Sequence, residues 1–483
     1  MHFFVNKAMG IGNSGVEHAQ FYRANRFDEV GLPYKFIFVE LIKNLHEAMD
    51  SWELKEDQVI NMWEFFVLGD TYLERTDLDR VPFKEDITID HTKTHRIKTI
   101  QTSSGVTIVE HMEKSPSKKQ KDMLLVSTYR VELFETKTKK RKVMLTYLDD
   151  PDRGRVMTNI HLFDVNGEHY YFPNEVLVQR FFFMYLISYF KNVKSFFVDR
   201  GEETLTALLG QLPDTIKLIQ IVHADHLSDR DVPEHPLWNN YYEYALTHLD
   251  GLDRVVVATK LQRQDLLIDF PYADKKIQTI PVGGIRDIQM DTLKDTTKDL
   301  QQLPKKFITV SRLASEKHID IVVRAIVQAR EQYPELTLDI YGQGSEDKVI
   351  KEVIEELNAS EYIKLKGHSN ELEKIYPQYD AFISGSYSEG FGLTYIEALN
   401  AGLPIVTFKA RFGALELVQD GINGYLCDFS RTDPKFSVFC LADGIQKLCQ
   451  FPLEFYQEKT RLSVADFQDS VIAKKWRVLI DEL

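Results

Sequence analysis

SEGFGLTYIEALNA, residues 388–401, sets two glutamates, Glu389 and Glu397, eight positions apart around a Gly-Phe-Gly turn. The apolar segment Ala381-Phe382-Ile383-Ser384 before it predicts a buried strand, and Leu393, Ile396 and Leu399 after it recur at helical spacing. Strand, glycine turn and helix in that order bring the helix N-terminus to the carboxyl end of the strand. Free N–H groups and the helix dipole there make an anion site without a basic side chain. Eight positions is a little over two helical turns, so the spacing puts both carboxylates near one face, a helix's rise apart. One carboxylate could hold sugar hydroxyls at the turn while the other takes another part of the same ligand. Two ordinary surface acids at a helix start are the competing reading.

The surrounding sequence alternates strand and helix. Residues 306–310 predict a strand, followed by Ser311-Arg312-Leu313-Ala314-Ser315-Glu316-Lys317-His318. A guanidinium and an ammonium five positions apart, at Arg312 and Lys317, suit a diphosphate whose charge they neutralise as it departs. Helix-start salt bridges compete with that role. A helix over 319–332, a strand over 336–340, Tyr341-Gly342-Gln343-Gly344, a helix over 347–357, a strand over 362–366 and Gly367-His368 continue the rhythm.

The beginning of the chain has the same character. Residues 2–6 predict a strand, then come Gly10-Ile11-Gly12-Asn13-Ser14-Gly15, a helix from Val16 to about Val30 and a strand over 35–40. Gly15 would let backbone approach a phosphate closely, although any tight turn between strand and helix favours glycine. Two short helical stretches cover 41–66. From about 81 to 172 the pattern changes to period two, with turn signals at Ser103-Ser104-Gly105, Asp149-Asp150-Pro151-Asp152 and Asn166-Gly167. An antiparallel meander inserted into the first domain is expected, with sheet edges where subunits could pair. Helices over 174–190, near 203–209 and over 237–249, with strands over 195–198, 217–222, 254–258 and 276–280, complete that domain. Residues 283–303 read as a polar connection, and 470–483 as a terminal helix. The fold class expected is α/β with two Rossmann-like doubly wound domains facing a cleft. Their bounds are 1–40 with 173–287, the insert 41–172, and 288–469, with 470–483 packing back on the first.

Composition narrows the function. A chain of 483 residues exceeds one ordinary core, and 22 Tyr with 30 Phe argue for folded protein. A formal charge of −14 weighs against nucleic acid, although 91–142 carries thirteen Lys/Arg against five Asp/Glu, which suits an anionic polymer, surface or partner. Three cysteines without metal spacing, and MHFFVNKAMG without a signal-peptide pattern, predict a cytoplasmic, soluble protein. His223-Ala224-Asp225-His226 ends a predicted strand; consecutive strand-end residues splay, so hydrogen bonding to substrate is favoured over metal. Asp229-Arg230-Asp231 spells an Asp-x-Asp that chance also produces. No metal is expected. Gly-x-x-x-x-Gly-Lys-Ser/Thr, Gly-x-Ser-x-Gly and His-Glu-x-x-His are all absent, against P-loop, hydrolase and metalloprotease chemistry.

Together, 311–318 and Glu389-x7-Glu397 resemble the retaining glycosyltransferases of the GT-B fold, in the large family 4 group. GNSGVEHAQ (12–20), IVHADH (221–226), WNNYYEY (238–244) and LASEKHID (313–320) are similar to the GtfA-type protein O-glycosyltransferases of bacterial accessory Sec systems. The meander is similar in pattern to the extra β-domain of that group. The resemblance implies transfer of N-acetylglucosamine from UDP-N-acetylglucosamine to Ser/Thr of serine-rich adhesins. It also implies a homologous, catalytically silent partner subunit, or a homo-oligomer, paired through the meander. By motif, Arg312 and Lys317 would bind the diphosphate, with Gly15 offering an N–H. Glu389 and the N–H groups of Gly390, Phe391, Gly392 and Leu393 would hold the sugar, and Glu397 the ribose. Gly367 and His368 would lie near the uracil, and His223 would face the sugar. The mechanism implied retains configuration with no cofactor or obligatory metal, the leaving phosphate taking the acceptor proton. Alternatives are transfer to wall teichoic acid or Ser-Asp repeat proteins, a silent acceptor-binding subunit, and peripheral association with the inner face of the membrane. Glucose instead of N-acetylglucosamine as donor sugar also stays open.

Overall fold

The computed structural model describes residues 1–11, 15–88, 94–116, 123–150, 154–229, 236–287 and 300–483. Gly12, Asn13 and Ser14 of the glycine loop, Arg230 and Asp231 of the Asp-x-Asp sequence, and 288–299 of the polar connection lie outside the described residues. The chain forms two compact units. One comprises Met1–His18, Leu32–Ile221 and Asn240–Arg254, the other Ala19–Gly31, Val222–Asn239 and Val255–Leu483.

In the first unit a parallel sheet runs Val59–Asn61, Tyr34–Phe38, His2–Asn6, Ser195–Val198, Lys217–Val222. His2–Asn6, Val59–Asn61 and Ser195–Val198 are buried at every position, as strands covered on both faces must be. In chain order this is strands three, two, one, four, five, so the order reverses beside His2–Asn6. Val59–Asn61 corrects the expectation of helix over 41–66. Three residues are too few to show a period, and α-helices Leu45–Ser51 and Met62–Leu68 lie on either side, with a 3-10 turn at Glu56–Gln58.

The meander has seven antiparallel strands that neighbour one another in chain order, from Lys84–Thr88 to Glu168–Asn174. Where Ser103-Ser104-Gly105 signals a turn, strands His95–Gln101 and Val106–Pro116 pair antiparallel. Ile100, Ile108, Leu133, Val143, Leu145, Ile160 and Leu162 are fully buried on one face. At roughly 1.5–3 kcal/mol per buried aliphatic side chain, this face anchors the insert. An aromatic seam continues it, with Phe181 4.7 Å from Tyr170 and 5.3 Å from Phe172, and Phe65 5.7 Å from Phe182.

Beneath the Ser103–Ser104 turn lies a charged node. His46, 1% exposed, sets Nδ1 3.0 Å from Glu56 and Nε2 3.1 Å from Glu64, both buried. Ser104 Oγ donates to Glu64 at 2.5 Å, Ser103 Oγ donates to Glu47, and Arg80 Nη2 donates to Glu56 at 2.8 Å. Burial alone would lower the His46 pKa; the hydrogen bonds to Glu56 and Glu64 outweigh it and raise it to about 9. Burial would raise that of Glu56, but His46 and Arg80 hold it at about 2.

The second unit holds a six-stranded parallel sheet in the order Ile363–Gly367, Thr337–Tyr341, Lys306–Val310, Ala381–Ser384, Ile405–Phe408, Gly424–Cys427. Numbered along the chain this is 3-2-1-4-5-6, the doubly wound order, with its switch point between Lys306–Val310 and Ala381–Ser384. Helix Ile319–Ala329 buries seven of its eleven residues, among them Val322, Ala325, Ile326 and Ala329, against this sheet's core.

The helix expected over 237–249 is mostly absent. Leu237–Trp238 is a strand paired antiparallel with Leu227–Asp229, and only Glu243–Thr247 is helical. Asn239 explains the break, its N–H donating to His226 O at 2.9 Å and its amide to Asp225 O at 3.0 Å. The terminal helix, Asp469–Asp481, lies against the first helix of the chain: Trp476 is 5.8 Å from Phe27, and Tyr22 Oη donates to Asp469 at 2.6 Å.

Candidate active site

The two loops leaving the switch point of the six-stranded sheet, 311–318 and 385–392, are the stretches whose chemistry stands out in the sequence. Lys317 and Glu389 meet there, Nζ donating to Oε2 at 2.8 Å, each about one-fifth exposed. A pair 72 residues apart in sequence is thus made by topology. Close glycine contacts seat both loops. A methyl at Gly342 would sit 1.8 Å from Ser311 O, one at Gly344 2.2 Å from Leu313 O, and one at Gly385 2.6 Å from His318 O. Leu313 N donates to Gln343 O at 3.1 Å in the same seam.

Gly344→Ala must therefore push the 311–318 loop aside. A shift of about an ångström in the cation-bearing loop is expected to cost on the order of 10²-fold in kcat/KM for the donor, read by steady-state kinetics.

Glu389 does not share a helix with Glu397, contrary to what the spacing suggests. It lies in a two-residue strand, Ser388–Glu389, paired in parallel with Arg411–Phe412, and only Glu397 is on helix Leu393–Asn400. Gly392, at φ +87°, turns the chain between them, a conformation that favours glycine. The helix therefore opens at the switch point, with its first N–H groups there. Glu397 is exposed on that helix, and Tyr376 Oη donates to it at 3.0 Å. Desolvation pushes its pKa up to about 7, and Glu373 adds to the rise against the Tyr376 hydrogen bond.

Arg312 follows the same strand as Lys317 but pairs with Glu316 at 2.8 Å, both well exposed. An exposed pair of this kind contributes at most about 1 kcal/mol, so it holds Arg312 only weakly. Gly367 ends its strand at φ +74°, and Gly342 N donates to Gly367 O at 2.9 Å, which puts it on the same carboxyl edge. His368 beside it is exposed and 2.8 Å from Asn370. His223 meets the 389–391 turn through its backbone: a methyl at Gly390 would sit 2.6 Å from His223 O. Phe391 is buried, Leu393 half-buried, and Gly15, in the first unit, is the first residue of helix Gly15–Glu29. His226 diverges from His223 and is fully buried, 3.2 Å from Asp265. Among the described residues no group of three or more His, Cys, Asp or Glu is arranged to hold a metal ion.

Two partners at this edge escape sequence reasoning. Tyr376 has no motif around it. His318, in the left-handed region at φ +46°, stacks on Tyr387 at 3.9 Å, and only its place at the end of 311–318 hints at it.

A family model described as Glycosyl transferases group 1 matches residues 294–448. The UDP-N-acetylglucosamine–peptide N-acetylglucosaminyltransferase GtfA subunit of Streptococcus pneumoniae serotype 4 is 31% identical, over 99% of this chain and 98% of its own length. The crystal structure of the pneumococcal O-GlcNAc transferase GtfA in complex with UDP and GlcNAc has a TM-score of 0.71 at 27% identity, covering 100% of this chain and 98% of that one. A GtfA/B complex structure gives 0.71 at 27% identity, covering 100% and 99%. The GT-B class that the resemblance implies, with the two doubly wound domains and antiparallel insert expected from the sequence pattern, is borne out by these likenesses. The chain belongs to the GtfA subunit family of glycosyltransferases.

Proposed function

We propose that this protein is a retaining glycosyltransferase that moves N-acetylglucosamine from UDP-N-acetylglucosamine to Ser/Thr hydroxyls of a protein acceptor. The observation that carries the reading is the Lys317–Glu389 pair at the switch point, beside the start of helix Leu393–Asn400. Lys317 and Arg312 neutralise the diphosphate, and Glu389 with the N–H groups of 390–393 holds the sugar. Glu397 takes the ribose hydroxyls, and Gly367 with His368 lies toward the base. His223 faces the sugar. As the sugar leaves through an oxocarbenium-like state, its phosphate accepts the acceptor's proton, so no side-chain base, metal or cofactor is needed.

The finer reading is a cytoplasmic enzyme acting on a serine-rich adhesin before accessory Sec export, with a homologous partner subunit paired at the meander. Its support is the likeness to a GtfA/B complex and the open edges of the antiparallel sheet. Among the described residues no helix is long and apolar enough to cross a membrane. In the basic run 139–142, Arg141 is paired with Glu132 at 2.6 Å and Lys142 with Asp164 at 2.9 Å.

The test is UDP release from a panel of UDP and GDP sugars. Release with UDP-N-acetylglucosamine supports the reading, and release with UDP-glucose alone corrects the sugar. Silence with every donor, acceptor and partner added contradicts it.

Glu397 makes a second expectation. With its pKa near 7, the carboxylate that accepts from ribose is lost as pH falls, so the KM for donor should rise several-fold from pH 8 to pH 6. Glu397→Gln should raise KM at pH 8 and flatten the profile.

A further inference from the structure

One face of helix Lys260–Asp269 holds both walls of the turn at 389–391. Gln262 Nε2 donates to Ala224 O at 2.7 Å. Three residues on, Asp265 Oδ2 accepts from Arg411 Nη2 at 2.6 Å and lies 3.2 Å from His226 Nε2. The helix is itself fixed at its start, where Glu416 accepts from Lys260 N at 3.0 Å and from Leu261 N at 3.2 Å.

What these groups hold is the turn carrying Glu389. Ser388 pairs with Arg411 and Glu389 with Phe412. Phe412 is 3% exposed and stacks on His226, with centroids 5.6 Å apart and planes 11° from parallel; the Arg411 guanidinium lies 4.6 Å from its ring. Gly413 sits so close to Phe391 that a methyl on it would be 1.9 Å from the Phe391 carbonyl oxygen. On the other side, Gly390 abuts His223 O and Ala224 Cα. Residues 389–391 are thus wedged between 411–413 and 223–224. The first wall depends on Asp265 and the second on Gln262.

We infer that Asp265 is a positioning residue for Glu389, acting through Arg411 and the His226–Phe412 stack without touching the substrate; the inference rests on the function proposed above. An aspartate whose side chain is 18% exposed, shared by a guanidinium and a fully buried imidazole, fixes both in one geometry. An asparagine keeps the shape but loses the charge that orients Arg411.

Asp265→Asn in the full chain should lower kcat for UDP release about tenfold to a hundredfold. UDP affinity by calorimetry should fall far less than kcat, because Arg411 pairs with Ser388 and Asp265 and not with Lys317, Arg312 or Glu397. Arg411→Lys should fall between, and Asp265→Asn with Arg411→Gln should be no worse than the worse single variant. Amide exchange over 388–392 should quicken in Asp265→Asn. A kcat within about twofold of the parent, or a joint loss of kcat, UDP affinity and thermal stability, would overturn the inference. If the parent releases UDP from no donor, the functional reading falls instead. Exchange then decides on its own: quickened amides at 388–392 uphold the brace, and unchanged ones reject it.

Discussion

Glu389→Gln is expected to reduce UDP release and sugar transfer by on the order of 10²–10³-fold, the cost of removing one preorganised polar group from a site of developing charge. Two effects add. The sugar loses a charged acceptor at the turn, and Lys317 loses the partner that holds its ammonium at 2.8 Å. Without that partner the lysine stem is free to leave the position from which it would neutralise the diphosphate. UDP binding should weaken far less than turnover, because Arg312, Glu397 and the helix N-terminus remain. A kcat loss with nearly unchanged UDP affinity separates this role from a general collapse of the site, and a variant with parental kcat would remove Glu389 from the mechanism.

His46→Ala is expected to cause the largest loss of stability, about 3–5 kcal/mol, because it removes the cation from buried Glu64 and leaves Glu56 only its arginine partners, Arg80 and Arg75. For a chain of this size that is a fall of roughly 10 °C in the transition of the first unit, measured by thermal unfolding. Ser104→Ala removes one hydrogen bond to Glu64 and should cost only about 1–2 kcal/mol. The pH dependence has a defined sign. His46 is raised to about 9, so its contribution is complete below its ordinary 6.5 and is lost as pH rises through 9. Glu56, held at about 2, contributes above its ordinary 4.5 and loses that contribution as pH falls through 2. The node therefore stabilises fully between about pH 4.5 and 6.5, and His46→Ala should flatten the alkaline decline.

Strong periodicity made much of this architecture legible. The strands Ser195–Val198, Lys217–Val222, Lys306–Val310 and Ala381–Ser384 stand where their apolar runs predict, because each is bounded by polar or glycine residues. The order 3-2-1-4-5-6 is not written in any one segment. It arises from right-handed crossovers, and it is what brings 311–318 beside 385–392. Short elements were hidden: Val59–Asn61 shows no period, and Asn239 breaks a stripe that otherwise looks helical.

The site divides in the same way. Glu389, Glu397 and Lys317 carry spacing that points to them, and Gly342, Gly344 and Gly390 mark close backbone approaches. Tyr376 and Asp265 carry none, because each acts across a fold-made contact with a residue 21 or 146 positions away. The charged node at His46 is illegible for that reason too, being assembled from three helices' worth of chain and one hairpin turn.

The most direct test of the central claim is the anomeric proton signal of the sugar transferred from UDP-N-acetylglucosamine to a Ser/Thr-rich peptide, recorded with the full chain and its candidate partner. An α-linked N-acetylglucosamine on Ser or Thr is the predicted result, the donor's configuration retained across the Lys317–Glu389 site. A β-linked product, or an unmodified peptide beside a glycosylated polyol phosphate, would contradict it.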